Sequence, residues 1–113
     1  MRTLLLATSI VATSTAAFAG TLSGDEIRTM IVGNTMAGVH GGSRYEEYLN
    51  PSGTIAGRAD DEEYSGQWKI TGNQICFTYS VKKAVWDCGT VTLRNDRIIF
   101  EDGETATLIK KAQ

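Results

Sequence analysis

The chain has 113 residues, with 11 basic and 13 acidic side chains, one His, two Cys, one Pro and twelve Gly. That length suits one domain and excludes a nucleotide-binding fold carrying a separate substrate domain. A formal charge of -2 excludes nucleic-acid binding by bulk charge, which needs a dense basic footprint.

Residues 1–19 read as a secretory signal peptide. Arg2 is the positive n-region, Leu4 to Ala12 supply a short apolar run, and Ala17-Phe18-Ala19 places small residues before a cut at Gly20. The apolar run is broken by Thr8, Ser9, Thr13, Ser14 and Thr15, whereas a membrane-spanning helix needs roughly 20 apolar residues. Residues 20–113 are then the mature domain, one charge unit more negative for the loss of Arg2. Both cysteines stay in it, and an even pair in an exported chain reads as a disulfide. The expected address is the periplasm, with release to the medium as the alternative, and no membrane contact follows cleavage.

One helix opens the domain. Ser23 and Glu26 form an S-x-x-E capping box, with Leu22 and Ile27 as the hydrophobic staple around it. Ile27, Met30 and Ile31 fall on one stripe, Asp25 and Glu26 suit the positive end of the dipole, and Gly33-Asn34 ends a helix of about ten residues. Short antiparallel strands follow. Asn50-Pro51-Ser52-Gly53 is a turn joining Arg44–Leu49 to Thr54–Arg58. Asp60–Glu63 reads as a charged connection. Gly72-Asn73 makes a two-residue hairpin turn that sets Trp68 opposite Phe77 and Ile70 opposite Ile75.

If Gln74–Ser80 pairs with Ala84–Leu93 around Val81-Lys82-Lys83, Cys76 falls directly opposite Cys88, as a cross-strand disulfide requires. Alternation places that bridge on the outer face with Lys69 and Thr78, away from Trp68, Phe77 and Tyr79. Asn95-Asp96 sets Leu93 against Ile98 and Val91 against Phe100. A three-residue turn near Asp102-Gly103-Glu104 puts Ala106 and Leu108 on the buried face. Evenly spaced strands joined by hairpins predict a mainly β domain: a small lipocalin-like antiparallel barrel, or a curved sheet, of about seven to eight strands with one N-terminal helix. The alternative is a two-layer α+β sheet. Gly38, Gly41, Gly42, Gly57, Gly66 and Gly89 are expected at bulges and barrel corners.

The chain offers little catalytic chemistry. His40 is the single histidine and reads as a loop or strand-end residue rather than a base or metal ligand. No G-x-S-x-G elbow is present, and exported Cys76 and Cys88 are expected oxidised rather than zinc-bound. Asp60-Asp61-Glu62-Glu63 lacks the spacing of a calcium loop and reads as solvated charge. The acids show no pair placed across a cleft. No catalytic residue, metal or cofactor is therefore expected. Trp68, Phe77 and Phe100 read as core anchors. Tyr45, Tyr48 and Trp86 are candidate surface aromatics, a type enriched where proteins bind one another.

From Gly33-Asn34-Thr35 through Gly66-Gln67-Trp68-Lys69-Ile70 to Ile75-Cys76-Phe77-Thr78-Tyr79 and Cys88, the chain resembles small exported proteobacterial proteins of unknown function with a lipocalin-like barrel. That resemblance implies a fold and a compartment, and it carries over no catalytic residue. A looser likeness, in size, barrel, G-x-W and single disulfide, is to the periplasmic inhibitors of secreted metalloproteases, which insert an N-terminal segment into the protease cleft. The expected function is a non-catalytic binding or protein-interaction module. Its contact surface is expected at Tyr45, Tyr48 and Trp86, because Trp68, Phe77, Tyr79 and Phe100 would fill so small a barrel. The alternatives are a periplasmic protease or hydrolase inhibitor and a carrier of a small apolar ligand. The partner is thus an unknown protein or a small apolar molecule.

Overall fold

A computed structural model of the chain describes residues 20–80, 82 and 85–112. The expected signal peptide, residues 1–19, lies outside the described residues, as do Val81, Lys83 and Ala84 of the expected hairpin loop. The domain begins with α1 (Gly24–Met30). Strands β1 (Thr35–His40), β2 (Ser43–Leu49), β3 (Thr54–Ala59), β4 (Glu62–Thr71) and β5 (Gln74–Thr78) follow. Then come β6 (Asp87–Gly89), β7 (Val91–Arg94), β8 (Arg97–Phe100) and β9 (Thr105–Ile109).

The nine strands of the described residues belong to one antiparallel sheet in the order β6-β5-β4-β3-β2-β1-β9-β8-β7. Pairing of β1 with β9 curls it into a nearly closed barrel, and the two-layer alternative does not form. The expected single strand Ala84–Leu93 is two strands instead. Cys88 pairs with Cys76 on β5, whereas Val91 pairs with Phe100 on β8. At Thr90 the chain therefore steps from one edge of the sheet to the other, across the barrel's seam. Glu101 clamps that step, accepting from the Thr90 amide at 2.9 Å and facing its hydroxyl at 3.3 Å.

The helix forms for the expected local reasons. Ser23 Oγ accepts from the Glu26 amide at 3.1 Å, and the Glu26 carboxylate accepts from the Ser23 amide at 2.8 Å. Leu22 and Ile27 are wholly buried beside this box. The helix is seven residues rather than ten: Ile31 caps it, and Gly33 takes a φ of 88°, which only glycine adopts without strain. A helix this short persists through packing. It seals one end of the barrel, where Gly24 sits against Gly72 and donates to Asn73 Oδ1 at 3.0 Å. Just before it, the Leu22 amide donates to the Val91 carbonyl at 2.8 Å, tying the entering chain to β7, the seam's other edge.

Beneath the helix lies the core. Leu49, Ile55, Trp68, Val91, Ile98, Ala106 and Leu108 pack with Leu22, Ile27 and Ile31. Trp68 is 5% exposed and pairs with Phe77 as expected. Its indole Nε1–H donates to the Asn50 carbonyl at 2.8 Å, and the Arg28 guanidinium lies 6.0 Å from its ring centre. Phe77 and Phe100 behave differently from Trp68. They are half-buried and meet edge to face at 6.3 Å, above the sealed core. Ile98 pairs with Ala106 and Ile99 with Thr105, so Ala106 and Leu108 do fall on the buried face.

Cys76 and Cys88 are directly opposed and bonded. Alternation puts both on the outer face, yet Cys76 is wholly buried and Cys88 is exposed. Among the described residues no helix is long and apolar enough to cross a membrane.

Candidate functional site

The barrel end away from the helix is a cup rather than a filled core. Its cavity of about 860 Å³ is open to solvent at the rim. Three tyrosines and one carboxylate occupy its wall. On β2, Leu49 is buried in the core, so alternation turns Glu47 and Tyr45 inward on the same face. On β4, Trp68 is inward, so Tyr64 is too. Tyr79 follows Phe77 on the inner face directly after β5.

Glu47 sits at the centre with 6% exposure. The Tyr64 hydroxyl donates to its Oε2 at 2.7 Å. The Tyr79 hydroxyl lies 2.9 Å from Oε1 and 3.0 Å from Oε2. The Tyr64 and Tyr79 rings meet edge to face at 6.0 Å. A carboxylate offers about four acceptor positions, and two phenolic protons leave part of that capacity unused. Among the described residues no Lys, Arg or His nitrogen forms an ion pair with Glu47; the two pairs present are His40–Glu104 and Arg58–Glu63.

All three tyrosines ionise above their ordinary value of 10.0. For Tyr64, burial is the first cause, then its hydrogen bond to Glu47 and that group's charge. For Tyr79 it is burial, then the Glu47 charge, then the hydrogen bond. About half of the Tyr79 side chain is open, but its hydroxyl end is the part turned onto Glu47. For Tyr45, burial acts first, followed by the charges of Glu47 and Glu104. The three phenols therefore remain hydrogen-bond donors throughout the neutral range.

Glycines make this arrangement possible. Gly38 pairs with Tyr45 and Gly57 with Tyr64. The β4–β5 register, carried one residue past Gln67 and Thr78, puts Gly66 opposite Tyr79. A Cβ at Gly38 would lie 2.9 Å from the Tyr45 hydroxyl oxygen, and one at Gly66 would lie 2.7 Å from the Tyr79 ring. At Gly57 it would fall on the Tyr64 ring itself. These three glycines lie within or alongside regular ladders rather than at the expected corners. Each is a bare patch of backbone on which a ring lies flat. Gly41 and Gly42, with φ of 59° and 83°, do form the β1–β2 turn.

The expectation of a filled barrel is corrected here. Trp68 points to the helix end, and the glycines let the remaining aromatics lie along the wall instead of across the lumen. The expected aromatic patch also divides. Tyr45 lines the cup. Tyr48, three residues along β2, belongs to the outer face, opposite Ala56 on β3, which is opposite Ser65 on β4. Trp86 is on the outer face as well, with Lys69 Nζ 4.3 Å from its ring centre. Lys69 lies two strands and four residues from Tyr48, so the three aromatics do not share one surface.

The rim of the cup is acidic. Asp87, Glu101, Asp102 and Glu104 line it with Glu47 inside, and among the described residues no lysine or arginine joins them. His40, the last residue of β1, is there too, its Nδ1 3.3 Å from Glu104 Oε1. Asp60 and Asp61 form a turn and Glu62 and Glu63 begin β4, so half of the expected charged connection is strand. Among the described residues no group of three or more His, Cys, Asp or Glu is placed to hold a metal ion. Sequence reasoning missed Glu47, Tyr64 and Tyr79 as a unit, although alternation from Leu49, Trp68 and Phe77 puts each of them inward. No protein-family model, curated protein or solved structure matches the chain.

Proposed function

We propose that the protein is an exported, non-catalytic binding module that takes a small ligand into the open cup. The observation carrying this reading is the cavity itself: about 860 Å³, within the usual size of ligand sites, walled by apolar rings with a few convergent polar groups. Such sites orient a ligand through hydrogen bonds while the aromatic walls supply contact area. Glu47, Tyr64 and Tyr79 are the polar groups; Glu47 and Tyr64 are held by strands, and Tyr79 directly follows β5. The reading departs from a contact surface at Tyr45, Tyr48 and Trp86, since only Tyr45 faces the cavity. Export to an oxidising compartment, the periplasm above all, is supported by the Cys76–Cys88 bond.

Amide spectra of the purified protein, recorded while fragment mixtures are titrated in, test the site. Ligand-dependent shifts should centre on Tyr45, Glu47, Tyr64 and Tyr79. Shifts centred on Tyr48 and Trp86 would return the function to the outer surface.

A further inference from the structure

We infer that the ligand of the cup is a small organic cation: an amine or quaternary ammonium group carried on an apolar body. This inference rests on the reading of the cup as the binding site and names the chemistry that the site selects.

Charge is the first argument. Glu47 is 6% exposed and, among the described residues, is held by neutral hydroxyls alone. A carboxylate taken out of water without a positive partner is costly, and the cost falls when a cation is brought beside it. Four further acids, Asp87, Glu101, Asp102 and Glu104, stand at the mouth, and among the described residues no lysine or arginine lines the cavity. A cleft lined by one sign of charge concentrates the opposite ion at its entrance. An anionic ligand would meet repulsion from every one of these groups.

The walls give the second argument, and it is independent of the first. Tyr45, Tyr64, Tyr79, Phe77 and Phe100 surround the cavity. Aromatic faces attract cations through the ring quadrupole, and several rings about one space form the cage that quaternary ammonium groups occupy. A bare metal ion suits the site poorly, because hard cations want six or more oxygen ligands and rings supply none. The site fits a cation whose body is apolar.

Three probes with one aromatic body separate charge from shape: benzyltrimethylammonium, benzyl alcohol and phenylmethanesulfonate. Each is titrated into the purified protein and followed by amide shifts. The ammonium compound should bind in the cup at least about tenfold more tightly than the other two. Glu47→Gln should remove most of that preference, weakening the ammonium probe far more than benzyl alcohol. Should Glu47→Gln not fold, the exposed rim variants Asp87→Asn and Glu104→Gln carry the test, each weakening the ammonium probe by about two- to threefold. Equal or tighter binding of the alcohol or the sulfonate within the cup overturns the cation inference and leaves the cup as the binding site. Shifts confined to the surroundings of Tyr48 and Trp86 overturn both. Absence of binding by all three probes overturns the cation inference.

Discussion

Tyr64 lies flat across Gly57, its cross-strand partner, and reaches over it to Glu47. The row runs Met36, Glu47, Gly57, Tyr64 across β1 to β4, so Gly57 is the vacant position between the donor and the acceptor. A Cβ at Gly57 would occupy the ring's place. Gly57→Ala should therefore lift Tyr64, break its 2.7 Å hydrogen bond and destabilise the protein by about 1–3 kcal/mol, as overpacking does. The double variant supplies the check. In a Tyr64→Ala background the same glycine change should cost little, because contacting residues are not additive. Equal costs in both backgrounds, measured by urea unfolding, would mean that the ring does not depend on the glycine.

The disulfide joins the barrel's edge strand to its neighbour. β6 is three residues long and pairs on one side only, so it has few hydrogen bonds of its own. Cys76→Ser with Cys88→Ser should cost about 3 kcal/mol by the chain-entropy estimate. For a domain of this size that lowers Tm by on the order of 10 °C or more. Thermal melts with and without reductant measure it, and thiol titration of the denatured protein should find no free thiol.

Trp68 joins the helix, the β2–β3 turn and the β4–β5 hairpin through Arg28, Asn50 and Phe77. Trp68→Ala leaves a large void beneath α1 and should cost roughly 3–5 kcal/mol. Trp68→Phe keeps much of the volume but removes one of the two donors to the Asn50 carbonyl, the Gly53 amide at 2.9 Å remaining, and should cost about 0.5–1.5 kcal/mol. A Trp68→Ala variant melting near the native temperature would contradict the role of this ring as the floor of the core.

Local rules were readable wherever one segment carries all the information. The capping box needs only residues 22–27. The Trp68–Phe77 and Cys76–Cys88 registers follow from a turn and an alternation. The seam at Thr90 was hidden because no local signal marks where one continuous extended stretch changes partners. The cup was hidden for a different reason. Alternation already turned Glu47 inward, but a carboxylate facing a presumed core looks like a conflict until its donors are known. Those donors come from β4 and from the residue after β5, and only the curvature of the closed sheet brings them to β2. The glycines misled for the same reason. A mid-strand glycine and a corner glycine look alike in sequence, and the ring that needs the bare backbone sits on another strand.

The raised ionisation of Tyr45, Tyr64 and Tyr79 predicts how stability depends on alkaline pH. Each of these phenols holds its proton more tightly in the folded chain than in the unfolded one. Below the ordinary tyrosine value of 10.0 the groups are protonated in both states, and their contribution to stability is fully present. As pH rises past that value, tyrosines of the unfolded chain ionise first, so the unfolded state binds fewer protons and is stabilised relative to the native one. Stability should thus fall from about pH 10 upward and continue to fall as pH approaches the raised native values. Tyrosinate absorbance followed alongside circular dichroism checks this directly. Much of the absorbance rise should coincide with the loss of the β signal rather than precede it. Tyr64→Phe and Tyr79→Phe should each remove part of the pH dependence between pH 10 and the unfolding point, while lowering stability at pH 7 through the lost donor to Glu47. Full ionisation of all four tyrosines while the β signal remains native would show that Glu47 is not holding the two hydroxyls.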